Sequence, residues 1–230
     1  MKTRMKSMLT LMVAVCLLLV FATPVMAAEE TRGSYVEAAR VTLYSAAGHS
    51  FVSFENLTNS SLTIGVYTVQ GGESITIGTW SARYGRQFGG VWYNLESHLV
   101  SNGSHFGNTL ASITVGFQLD ELDALVERMT DFILTHDTHN SNYLCSKFAL
   151  GLWNAALDGN LSITDPNSPT CLMERIQQMN GHQVGYGYVP ILGSSKVGYK
   201  VNNTFYQVNM SAYTSTFANS EAQSCEIQSS

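Results

Sequence analysis

Between residues 41 and 80, apolar side chains fall on alternate positions between clusters of turn-forming residues. This pattern restricts the first part of the chain to a β-meander. Leu62, Ile64 and Val66, and then Ile75 and Ile77, alternate with polar or small residues, the two-residue period of a strand with one buried face. The strand-like runs are 50–54, 62–67 and 74–79, separated by turn chemistry at 56–60 and 70–72. A further short strand is expected over 111–117, whereas the Gly- and aromatic-rich stretch 84–93 has no clear period.

Helical spacing takes over after residue 118. Leu122, Leu125, Val126, Met129, Phe132 and Ile133 predict a helix over 119–134. A polar loop over 135–142 leads to a second helix, 146–157, which Asp158, Gly159 and Asn160 stop. Ser168 and Pro169 offer an N-cap and a first-turn proline for a third helix through 179, and strands follow over 184–213. The expected architecture is a single α+β domain, in which an antiparallel sheet or partial barrel packs against the Cys145 helix and a second long helix.

The first residues have the pattern of an export signal. Lys2, Arg4 and Lys6 precede an apolar run over 8–21, then Pro24 and the small residues Ala27 and Ala28. A retained membrane anchor is the competing reading, but the run is short for a span and Pro24 sits just before the small-residue site. The expectation is a signal peptide over 1–27 and a secreted domain over 28–230. Residues 220–230 are expected to form a mobile tail, and no stable membrane span is expected after cleavage. The formal net charge of −5 becomes more negative once the three basic leader residues are lost. No Lys/Arg cluster remains, which argues against a nucleic-acid partner. Outside the leader the cysteines are Cys145, Cys171 and Cys225, an odd number that leaves at least one thiol unpaired or bonded to another chain. Cys171 and Cys225 form a possible disulfide, the alternative being that all three are reduced; Cys145 is free in either case.

Cys145 stands where the Asn-rich loop becomes the second helix. A helix start carries unpaired N–H groups and the positive end of the dipole, which favour a thiolate and can hold an oxyanion. A buried structural cysteine would look similar, because Ala149, Leu152 and Ala156 share its helix face. His49 lies at a strand start in Gly48-His49-Ser50-Phe51, where the plain alternative is a polar side chain satisfied by backbone.

Gly48-His49-Ser50-Phe51 followed by Cys145-Ser146-Lys147-Phe148, with Trp153-Asn154 further along, resembles the papain-like cysteine peptidase and acyltransferase superfamily. The resemblance is to its circularly permuted branch, which includes lecithin:retinol-acyltransferase-like proteins. Thr79-Trp80 and the stretch 90–96 are similar to uncharacterised secreted bacterial proteins of that type, and the likeness covers roughly 41–153. It implies a permuted papain-like order, with the His strand before the Cys helix. It also implies acyl transfer by Cys145 as nucleophile and His49 as its base. The substrate would be an amide, in a peptide or cell-wall peptide, or an ester, and no cofactor is called for. A third residue that orients the imidazole belongs on the strand next to the His strand. Gln70, brought round by a hairpin about Asn59, and Glu96 are the candidates. The Asn expected directly before the Cys is here Asn142, three positions earlier.

Two other readings compete with the enzyme. Asn/Ser/Thr-rich strands and the acidic charge suit a non-catalytic secreted surface, adhesion or binding module, and a degenerate enzyme would keep the fold as a scaffold. His136 and His139 have a metal-ligand spacing but lie in a polar loop without further ligands, so no metal site is expected. His98, His105 and His182 are scattered singly, Gly85, Gly89 and Gly90 suggest a flexible cleft edge, and Tyr186 and Tyr188 suggest strand packing. The enzyme reading predicts the Cys145 sulfur within about 4 Å of a His49 ring nitrogen and both side chains bordering an open cleft, and it fails if His49 lies across the sheet from Cys145.

Overall fold

The computed structural model describes residues 36–80, 90–136, 144–159, 168–193 and 195–210. The expected leader, the tail, Cys225, His139, Asn142 and nearly all of the 84–90 stretch lie outside them.

Among the described residues there are ten strands and four α-helices, an α+β arrangement. The strands are β1 (Glu37–Ala46), β2 (Ser50–Asn56), β3 (Leu62–Ile64), β4 (Tyr67–Val69) and β5 (Ser74–Trp80), followed by β6 (Gly90–Tyr93), β7 (Leu110–Gln118), β8 (Gln183–Val184), β9 (Gly198–Val201) and β10 (Thr204–Gln207). Eight of them form one antiparallel sheet in the order β10-β9-β6-β5-β2-β1-β7-β8. The helices are α1 (Leu95–Ser101), α2 (Leu122–Leu134), α3 (Cys145–Ala156) and α4 (Pro169–Gln177).

The strand expected over 62–67 is broken in two. Gly65 has φ +63°, a conformation open to glycine, and it reverses the chain between β3 and β4. The Thr130 hydroxyl accepts the Gly65 N–H at 3.0 Å, and the Tyr93 hydroxyl accepts the Val66 N–H at 3.2 Å. β3 and β4 therefore form their own hairpin outside the main sheet. Residues 184–213 are also less strand-like than expected, since Tyr186–Tyr188 is a single 3-10 turn.

The sheet is covered on both faces rather than one. Val41, Leu43, Val52, Phe54, Ile75 and Ile77 belong to one apolar cluster, with Leu125, Met129 and Ile133 of α2 and Phe148, Leu152 and Trp153 of α3. Tyr44, Phe51, Trp80 and Trp92 belong to a second, with Leu95 and Leu99 of α1. Strand alternation sends neighbours such as Phe51 and Val52 into different clusters. The periodic face of α2 meets α3 at Gly151, where a Cβ would run into the Phe132 ring. Ser168 caps α4 as expected, its hydroxyl accepting the Cys171 N–H at 3.2 Å. No helix among the described residues is long and apolar enough to cross a membrane.

Lys200 of β9 is only 2 % exposed, and its ammonium donates to the Leu134 and His136 carbonyls, each at 3.3 Å. It thus satisfies groups at the C-terminal end of α2, the negative end of that helix. Lys200→Met keeps the length of the side chain and removes the donors. It is expected to lower stability by about 1 kcal/mol in denaturant titrations, the cost of leaving partly buried carbonyls unpaired. An unchanged midpoint would show that the cap contributes nothing.

Candidate active site

Three elements of different origin bring the central residues together. His49 ends the short connection between β1 and β2. The Ala46 N–H donates to the His49 carbonyl at 2.9 Å, and the Gly48 N–H donates to the Phe106 carbonyl at 2.8 Å. The imidazole is 3 % exposed and sits among Trp80, Phe106 and Phe51, with ring centroids 4.1, 5.2 and 5.9 Å away.

Glu96 reaches the same place from α1. Asn94, at φ 62°, turns the chain out of β6 into that helix. Its side-chain oxygen accepts the Thr76 N–H at 3.1 Å, which fixes the helix start against β5. Asparagine tolerates this left-handed conformation better than most residues. Glu96 is fully buried, and its Oε1 accepts from His49 Nε2 at 2.9 Å and from Trp80 Nε1 at 2.7 Å. Oε2 is buried without a hydrogen-bond partner.

Cys145 is the first residue of α3, is 7 % exposed and is not in a disulfide. Its side chain is hydrogen-bonded to His49. Leu144 enters the helix in an extended conformation and provides no side-chain cap for the first turn.

These contacts set the charge of the imidazole. Burial is the largest single influence and pulls its pKa down. The charge on Cys145, the hydrogen bonds to Cys145 and Glu96 and the charge on Glu96 together outweigh burial, raising the pKa from 6.5 to about 9. The raised pKa favours the imidazolium, the partner a thiolate needs.

No family model, curated protein or solved structure matches this chain. The geometry of the site therefore has to carry the functional argument.

Of the two candidates for the third position, Glu96 lies on His49 and Gln70 does not. β2 is flanked by β1 and β5, so the β3–β4 hairpin does not pair with the His49 strand and meets its far end, at Asn56. Gln70 is exposed at the end of β4, its N–H donating to Glu73 at 2.7 Å and its carbonyl accepting from Asn56 at 3.1 Å. Cys171 is disulfide-bonded, with its partner outside the described residues. His136 is held by its own helix, its Nδ1 bonded to the Phe132 carbonyl at 2.6 Å. No group of three or more His, Cys, Asp or Glu side chains among the described residues could hold a metal ion.

Among the described residues no open cleft appears at Cys145 and His49, whose side chains are almost wholly covered. A cavity of about 370 Å³ instead lies near Arg128, Ala156, Leu157 and Asp158, at the far end of α3. That helix has 12 residues, so the cavity is about 18 Å from the thiol. Sequence reasoning also overlooked how Gly78 and Trp80 surround Glu96. The available signal was their spacing of two on one strand, which puts both on the same face.

Proposed function

We propose that this chain is an exported cysteine hydrolase or acyltransferase of the permuted papain-like type. In this reading Cys145 is the nucleophile, His49 its base and acid, and Glu96 the group that orients the imidazole. The observation that carries it is the hydrogen-bonded series from the Cys145 thiol through His49 to Glu96, with the thiol on the first residue of a helix. The chain order supports it too, because the His49 connection precedes the Cys145 helix and that helix packs on an antiparallel sheet.

The chemistry follows from these positions. The Cys145 thiolate attacks the carbonyl carbon of an amide or ester, and the oxyanion forms beside the first turn of α3, where N–H groups and the helix dipole favour negative charge. The His49 imidazolium gives its proton to the leaving amine or alcohol as the C–N or C–O bond breaks, leaving a thioester on Cys145. Neutral His49 then takes a proton from water or an acceptor amine, which attacks the thioester and restores the thiol pair. An exported enzyme of this kind would act on a peptide amide, with cell-wall peptides as one such class, or on an ester.

A non-catalytic binding module is the second reading, favoured by the burial of the dyad. Alkylation by iodoacetamide across pH separates the two, with Cys145 followed by peptide mapping in wild type and His49→Ala. The enzyme reading expects rapid modification well below the ordinary thiol pKa of about 8.5, lost in the variant. Equally slow modification of both proteins would support the binding module.

A further inference from the structure

We propose that Trp80 is a positioning residue, which together with Gly78 forms a cradle on β5 that fixes the Glu96 carboxylate against His49. The inference rests on the reading of Glu96 as the group that orients the imidazole, and adds a layer behind it.

Gly78 and Trp80 are two residues apart on β5 and so face the same side of the sheet. At Gly78 the missing side chain is the useful feature. A Cβ built there would overlap Glu96 Oε1 and come within 3.2 Å of the Phe51 Cβ. Any larger residue would thus push the carboxylate off its position. Trp80 supplies the donor. Its indole N–H can only donate, and it donates to Oε1 at 2.7 Å, the same oxygen that receives His49 Nε2 at 2.9 Å. Two donors meeting on one carboxylate oxygen restrict rotation about the last bond of the Glu96 side chain, and both bonds are strengthened by the negative charge.

The indole ring does a second job. It lies 4.1 Å from the imidazole, inclined by 33°, and contacts Phe106 at 5.9 Å. It therefore covers the His49–Glu96 hydrogen bond as well as anchoring one end of it. A tryptophan recruited only to fill apolar space would not need its N–H on the oxygen that receives the imidazole. Among the described residues, Cys145 and Glu96 are the titratable groups that face His49, and Phe51, Trp80 and Phe106 are the rings packed around it.

The test is the titration of His49 followed by NMR in full-length protein carrying ¹⁵N-labelled histidine, with no substrate involved. Trp80→Phe keeps an aromatic cover and removes the N–H. Its His49 is expected to titrate about one pH unit lower than wild type, the size of shift that one weakened charge-assisted contact produces. Circular dichroism and the melting temperature serve as controls for folding. Gly78→Ala leaves Trp80 in place and displaces Oε1, and the same downward shift is expected. Trp80→Phe therefore need not be the sole test if it folds poorly. A His49 titration in both variants that matches wild type would overturn the inference and leave Glu96 in its role. A wild-type His49 that titrates like a free imidazole, near 6.5, would instead overturn the reading of the whole site.

Discussion

Cys145→Ser is expected to reduce acyl transfer from an activated aryl ester such as p-nitrophenyl acetate by at least about 10³-fold, because nucleophile replacements remove the covalent step itself. The substitution changes little else. Cys145 occupies the first position of α3, a place that tolerates serine, and its side chain is small. The loss would come from mismatched acidity. In the proposed mechanism His49, whose pKa its neighbours raise, holds a proton opposite a thiolate, and an alcohol does not ionise in that range. Intact-mass measurement gives the direct readout. Wild type should gain one acetyl group, mapped to Cys145, and the serine variant should gain none at that position. Ester cleavage at the same rate in both proteins, without acylation of Cys145, would remove the thiol from the mechanism.

How far such a site can be read from sequence depends on what each residue's local pattern reveals. Cys145 and His49 were each legible as candidates because each has a distinctive local setting, a helix start and a strand start. α4 was legible from Ser168 and Pro169, and α2 from its apolar spacing. The choice between Glu96 and Gln70 was not. Gln70 falls away because β5, not β4, pairs with β2, and Glu96 arrives on α1, a helix rather than a strand beside the His strand. α1 was also hidden. At seven residues it is too short to show a helical period, and it begins at an asparagine in a turn conformation rather than at an ordinary cap. Yet this helix carries Glu96 and covers the second face of the sheet, so missing it concealed both the third partner and the two-sided burial. The cradle at Gly78 and Trp80 needed the fold as well, since nothing in Gly-Thr-Trp alone says what lies above it.

Glu96 should produce the other large effect, and two substitutions divide it into parts. Glu96→Ala removes the acceptor from the Trp80 N–H and from His49 Nε2 in a fully buried place. Stranding buried donors costs about 1–3 kcal/mol for each, and loss of the orienting group in comparable acyl-transfer sites costs up to about 10⁴-fold in rate. Glu96→Gln keeps an oxygen and the shape but loses the charge that helps raise the His49 pKa. Its effect on stability should therefore depend on pH, with a sign that can be worked out. Folding raises the imidazole pKa from 6.5 to about 9, so across that interval the native state holds a proton that the unfolded chain has released. The resulting stabilisation is complete below pH 6.5 and is lost as pH rises through about 9. Weakening the raised pKa in Glu96→Gln takes away the upper part of that interval. The difference in melting temperature between wild type and variant should then be largest at pH 6.5 and shrink towards pH 9.5, beyond the native value of about 9. A difference that stays constant with pH would mean that Glu96 acts on stability through shape and hydrogen bonding alone. The charge would then have no part in holding the His49 proton, and the thiolate would have to rely on the helix start.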